Sequence, residues 1–213
     1  MTGSPPVFDA AFRSQLHDLM RWRRDVRHFR ADRVDPAALA RALDGFRLAP
    51  SVGLSEPWRI VRVEGDAARA AVRTNFEAAN ADALRGYDDD RASRYARLKL
   101  AGLAEAPVHL AVFCDDATPK GAGLGAQTMP EMRAYSVACA ITCFWLALRA
   151  EGLGLGWVSI LDPSRLARDL SVPADWRLVG YLCVGHPADE EQTPELERLG
   201  WEARAETLMS EVR

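Results

Sequence analysis

The sequence predicts an α+β fold, with helices flanking a central sheet of four or five strands. Three observations lead there. Helical periodicity comes first along the chain, and strands interspersed with helices follow. Several short apolar runs read as strands, and one long helix has no polar face through its middle.

Phe8, Phe12, Leu16, Leu19 and Met20 recur at helical spacing and predict an amphipathic helix over 8–24. Asp35 as N-cap and Pro36 at the first helical position announce a second helix. It carries Leu39, Leu43 and Phe46 on one face and should stop near Ala49, because Pro50 disfavours helical geometry in the residue before it. A turn-like stretch, Ser51 to Pro57, leads into a strand over 58–63. Residues 66–103 are rich in Ala, Arg and Asp and predict two polar-faced helices, separated near Gly86 to Asp90. Strands follow at 108–114, 155–160 and 178–184, the last preceded by a short helix capped by Asp162-Pro163. Between the first two of these lie a glycine-rich loop, 115–130, and the helix 131–151. That helix is apolar almost all round from Val137 to Leu148, so it packs in the core or against a partner subunit. The whole reads as one domain over 1–213, with 1–7 disordered and 194–213 a C-terminal arm.

Composition narrows the function. The 213 residues are 48% hydrophobic and 27% charged, enough apolar content for a sizeable core. Lys and Arg number 27 against 30 Asp and Glu, and that balance argues against a general nucleic-acid binder. No run reaches the roughly 18 apolar residues of a spanning helix. The first ten residues lack the basic start and apolar core of a signal peptide, so the expected compartment is the cytoplasm with no membrane partner. Cys114 and Cys183 fall in predicted strands, and Cys139 and Cys143 share a helix face; all four read as buried small hydrophobes. His17, His28, His109 and His186 show no zinc-type spacing with them, and no metal is expected.

Three segments could carry chemistry. Arg23, Arg24 and Arg27 surround Asp25 where a helix ends. They suit a terminal phosphate, or else form a solvated helix end that complements the dipole. Asp25 is a counter-ion or a base: the arginines favour its carboxylate, whereas burial opposes it. The stretch Ala49 to Trp58 is a tight turn that either brings backbone N–H groups close to a flat ligand or simply joins helix to strand. The glycines at 152, 154 and 156 precede a strand, whereas a dinucleotide fingerprint follows one, so a Rossmann reading fails. Ser159, expected inside that strand, lacks the Gly-x-Ser-x-Gly elbow of a hydrolase.

In this order and spacing, the segments resemble the nitroreductase-like family of flavoproteins. Within it they are similar to the branch that fragments its flavin. The narrower likeness rests on Arg23 to Arg27, Ala49 to Gly53, Pro57-Trp58, Tyr135-Ser136, Trp145 to Ala147 and Gly156 to Ile160. General nitroreductases usually carry serine where this chain has Asp25, and asparagine near Val52 to Leu54. The resemblance implies a homodimer with FMN at the interface and a mixed or antiparallel sheet. It also implies oxygen-dependent fragmentation of reduced FMN to 5,6-dimethylbenzimidazole, the lower ligand of cobalamin, with release of erythrose 4-phosphate. FMN would be consumed as substrate with O2 as co-substrate, and a separate NAD(P)H flavin reductase would supply it reduced. By the same likeness Arg23, Arg24, Asp25, Val26, Arg27, Pro50, Ser51, Gly53, Ser159 and Arg204 hold FMN, with Asp25 and Ser159 catalytic. The loop 115–130 and the excursion 66–103 become candidate lids. Glu56 is a departure, because many relatives carry glutamine there. The alternatives are an FMN-dependent NAD(P)H oxidoreductase that keeps its flavin, which leaves Asp25 unexplained, and a flavin carrier without activity.

Overall fold

A computed structural model of the chain describes residues 4–86 and 102–213. The helices are α1 (Ala10–Trp22), α2 (Pro36–Leu43), α3 (Gly45–Leu48), α4 (Asp66–Leu84), α5 (Gly102–Glu105), α6 (Met132–Ala150), α7 (Pro163–Asp169) and α8 (Glu195–Arg198). The strands are β1 (Trp58–Arg62), β2 (Val108–Asp115), β3 (Gly154–Val158) and β4 (Trp176–Gly185). They form one antiparallel sheet in the order β1-β2-β4-β3. The second polar-faced helix expected within 66–103 falls largely on residues 87–101, outside those described.

The sheet lies between two helical layers because β2 buries both of its faces. Leu110, Val112 and Cys114 pack with Leu182 and Val184 against Ala42, Phe46, Ile141 and Phe144 of α2, α3 and α6. Ala111 and Phe113 point the other way, into a second core with Tyr181, Val72 of α4 and Leu166 of α7. Strand alternation thus sends successive residues into different cores. His109 sits beside Tyr181 in the second core: their Nδ1 and Oη are 2.8 Å apart, and Nε2 lies 3.1 Å from the carbonyl of Ala106. A carbonyl can only accept, so Nε2 carries the proton and Tyr181 donates to Nδ1. Burial, reinforced by Arg69, holds the His109 pKa down to about 4, which keeps this pair neutral and structural.

Local signals fix the helix ends. Asp35 accepts from the N–H groups of Ala37 and Ala38, and Asp162 accepts from that of Arg165, each ahead of a proline in the first turn. The predicted helix over 36–48 is interrupted at Asp44, and α3 then approaches α6 closely. A side chain on Gly45 would press on the Cys143 and Phe144 backbone at 3.2 Å. The segment 116–130 is a series of turns, with Ala126 and Thr118 buried. Among the described residues no helix is long and apolar enough to cross a membrane.

One expectation about burial is corrected. Cys114 and Cys183 are buried, but Cys139 is exposed and Cys143 only half-buried. Helix α6 buries Val137, Ala140, Ile141, Phe144 and Leu148 on the sheet, which leaves Tyr135, Cys139 and Thr142 along its outer face. Helix α1 buries none of its residues, and Phe8, Phe12, Leu16 and Met20 line an open apolar face.

Candidate active site

The arginine segment leaves the end of α1 in extended conformation and lies along β3. The Val26 N–H donates to the Leu155 carbonyl at 3.0 Å, and Asp25 bridges Leu155 in parallel. This approach explains the glycines of β3. A Cβ on Gly156 would collide with the Val26 carbonyl oxygen, and one on Gly154 would stand 2.6 Å from the Val26 side chain. The Gly-Leu-Gly stretch is therefore a docking track for the segment that carries the arginines.

Asp25 sits on the floor of a cleft. Its Oδ1 accepts from the Trp157 N–H at 2.9 Å, and its Oδ2 lies 3.5 Å from Arg27 Nε. Although 41% of the side chain can still touch solvent, protein crowds the carboxyl on its other sides. This desolvation raises its pKa above the ordinary carboxylate value, against the Trp157 N–H and Arg27, and the nearby charge of Glu195 raises it further. Desolvation thus opposes Arg27 and the Trp157 N–H at this carboxyl.

Three guanidinium groups converge beside it. Arg23 stacks over the Trp145 ring at 4.4 Å, and Arg24 donates from Nη2 to the Arg21 carbonyl. Arg204 lines the same cleft as Arg23, Arg24, Asp25 and Arg27. Among the described residues, no carboxylate lies within ion-pair distance of Arg23, Arg24 or Arg204. Arg24 Nε is buried without a partner. Burial first, then repulsion from Arg204, lowers the pKa of both Arg23 and Arg24. Unpaired, partly desolvated cations with an orphaned donor have the chemistry that suits an anion of phosphate type.

The Pro-Ser loop is held by α6. The Val52 N–H donates to Ser136 Oγ at 3.0 Å, Ser136 donates on to the Met132 carbonyl, and Ser51 Oγ accepts from the Glu56 N–H at 3.1 Å. Gly53 adopts φ +57°, where a Cβ would meet the Leu124 carbonyl at 2.8 Å. The glycine-rich segment thus packs directly on this loop, and Lys120 pairs with Glu56 across the contact.

Ser159 is displaced from its expected place. Strand pairing ends at Val158 opposite Tyr181, and the chain then turns towards Asp162, whose backbone is clamped by buried Asn75 through bonds of 2.7 and 3.0 Å. Ser159 is consequently exposed just beyond the strand, not inside it. The chain brings Arg23, Arg24, Asp25, Val26, Arg27 and Arg204 together around connected clefts. Pro50, Ser51, Gly53 and Ser159 line none of those clefts. Trp22, Arg149 and Glu195 also line the cleft, and no motif in the sequence marks them. Arg149 pairs with Glu190 in bidentate fashion at 2.8 and 2.7 Å on the cleft wall, and Glu195 approaches Arg27. Their acidic members lie in a charged tail with no distinctive spacing. Among the described residues, no group of His, Cys, Asp or Glu side chains is placed to hold a metal.

The nitroreductase family model matches residues 20–186. A 5,6-dimethylbenzimidazole synthase of Rhodospirillum rubrum is 55% identical over 199 residues, covering 93% of this chain and 94% of that protein. A 5,6-dimethylbenzimidazole synthase of Rhodobacter capsulatus is 46% identical, covering 94% of this chain and 97% of its own length. Among solved structures, an iodotyrosine deiodinase bound to FMN and 3-iodo-L-tyrosine superposes with a TM-score of 0.75 at 23% identity, over 93% of this chain and 99% of that one. The chain belongs to the nitroreductase family, in the branch of the 5,6-dimethylbenzimidazole synthases.

Proposed function

We propose that this chain fragments reduced FMN with O2 to 5,6-dimethylbenzimidazole, the lower ligand of cobalamin, and erythrose 4-phosphate, with the remaining four carbons and two nitrogens of the pyrimidine ring leaving separately. The observation that carries the reading is Asp25, a carboxylate held by the Trp157 N–H on the floor of a cleft lined by an unpaired arginine cluster. It stands in a chain 55% identical to a synthase over nearly its whole length.

The residues present suit FMN. Arg23, Arg24 and Arg204 would take its phosphate, satisfying the orphaned Arg24 Nε, and Arg27 and Val26 would border the ring. Pro50, Ser51 and Gly53 form a rigid ledge suited to a flat ring. When bound, reduced FMN supplies the electrons for O2 and the carbon atoms of the product. Asp25 then does the chain's proton work at Oδ2, because Oδ1 is engaged by the Trp157 N–H. Its raised proton affinity suits a general base operating nearer neutral pH. The Ser159 hydroxyl, with no hydrogen bond among the described residues, is free to position the first ribityl carbon or relay a proton.

The ledge and Ser159 do not line the clefts of the arginines, and α1 and α6 expose apolar surface. We infer a homodimer in which a second copy completes the FMN site, with 194–213 as an arm of the same domain delivering Arg204. The reaction needs FMN already reduced, so a separate NAD(P)H flavin reductase is the expected source. The test is to mix the protein with chemically reduced FMN, admit air, and measure flavin loss and product by chromatography and mass. Equimolar flavin loss and 5,6-dimethylbenzimidazole support the proposal. Intact oxidised FMN with steady consumption of added NAD(P)H contradicts it and favours a reductase.

A further inference from the structure

Arg27 Nε lies between two carboxylates. Asp25 Oδ2 is 3.5 Å away and Glu195 Oε2 is 3.6 Å away. Both are ion-pair distances longer than a good hydrogen bond, so the two acids share one guanidinium cation. Glu195 holds this place because Pro194 opens the short helix α8 and turns the acid inward, where its side chain is only 22% exposed. The same stretch of chain, with Leu196 and Arg204, walls the cleft over Asp25. We propose that Glu195 is a positioning residue for Asp25: by drawing on the same Arg27 guanidinium, it withholds part of that cation and leaves Asp25 a better proton acceptor.

The other groups facing Asp25 do not provide this adjustment. On its own segment, Arg23 stacks on Trp145, and Arg23 and Arg24 lie towards Arg204. The arm's Arg204 lines the cleft as a further cation, which favours the carboxylate. From β3, the Trp157 N–H also favours the carboxylate. From β4, Cys183 is held by burial as a neutral thiol, with its pKa pushed up to about 12. Glu195 is the neighbouring anion that acts in the opposite direction, and its charge contributes to the raised proton affinity of Asp25. The two carboxylates, each near Arg27 Nε, are at most about 7 Å apart. At that separation, removing one charge should move the titration of the other by roughly half to one and a half pH units, depending on local screening.

This inference rests on Asp25 being the base, and the experiment separates the two. The Asp25 carboxyl carbon is titrated by 13C NMR in flavin-free protein, with Asp25→Asn assigning the resonance, in the parent, Glu195→Gln and Glu195→Asp. Glu195→Gln should lower the Asp25 midpoint by at least half a pH unit, and Glu195→Asp should restore most of it. The acid limb of product formation should move in the same direction. An Asp25 midpoint unchanged in Glu195→Gln overturns the proposal whatever the activity. Full product formation by Asp25→Asn removes the base reading, and with it the catalytic meaning of any titration shift. Backbone amide spectra of each variant establish that the fold persists.

Discussion

Gly156→Ala tests whether the glycines of β3 exist to dock the arginine segment. The added methyl would collide with the Val26 carbonyl oxygen, a backbone atom that cannot rotate away. Restoring van der Waals contact requires the segment to withdraw by about 1 Å. The Val26 to Leu155 bond at 3.0 Å and the Trp157 to Asp25 bond at 2.9 Å both lie in its path. Losing the neutral bond costs about 1 kcal/mol and the charge-assisted one about 2 kcal/mol, together about 3 kcal/mol. For a chain of this size that corresponds to a fall in Tm of roughly 6–12 °C if the segment unfolds with the domain. Since the same movement carries Asp25 and the arginines, FMN affinity should fall with stability. Calorimetry and flavin fluorescence titration measure the two effects. A variant within 2 °C of the parent that binds FMN normally would refute the docking argument.

Other substitutions separate binding from chemistry. Asp25→Asn should bind FMN yet lose product formation by about a hundredfold or more, measured by single-turnover chromatography. Its stability should move the other way. A carboxyl whose folded pKa is raised stabilises below its unfolded value and loses that contribution as pH rises through the folded one. The neutral amide should therefore leave Tm at pH 7 equal to or above the parent's. Ser159→Gly should bind flavin and turn over poorly; loss of flavin binding instead would make Ser159 a binding residue. Arg204→Ala should weaken FMN by roughly 10–100-fold in a fluorescence titration and leave riboflavin, which lacks the phosphate, nearly unaffected.

Much of this architecture is visible in local sequence. The four strands and the caps at Asp35 and Asp162 depend on neighbouring residues, and each lies within two residues of its expected position. Ser159 falls outside its expected strand because the chain after β3 is held by Asn75, a residue more than eighty positions away that binds the Asp162 backbone. The role of Gly154 and Gly156 was equally nonlocal: they read as the approach to a strand, and only the fold reveals Val26 lying upon them. Cys139 looked buried because the helix around it is apolar on every side, yet burial on the sheet uses only one face. The arginine cluster was legible from spacing, but the balance at Asp25 depended on Trp157 and Glu195, which approach from β3 and the distant arm.

The central claim is that the flavin is consumed and not merely used. FMN labelled with 13C at the first ribityl carbon, chemically reduced and mixed with the protein in air, tests it directly. The account predicts 5,6-dimethylbenzimidazole one mass unit heavier than the unlabelled product, in amounts matching the flavin lost. Labelled FMN recovered whole after reoxidation, with no benzimidazole above a protein-free control, would contradict it.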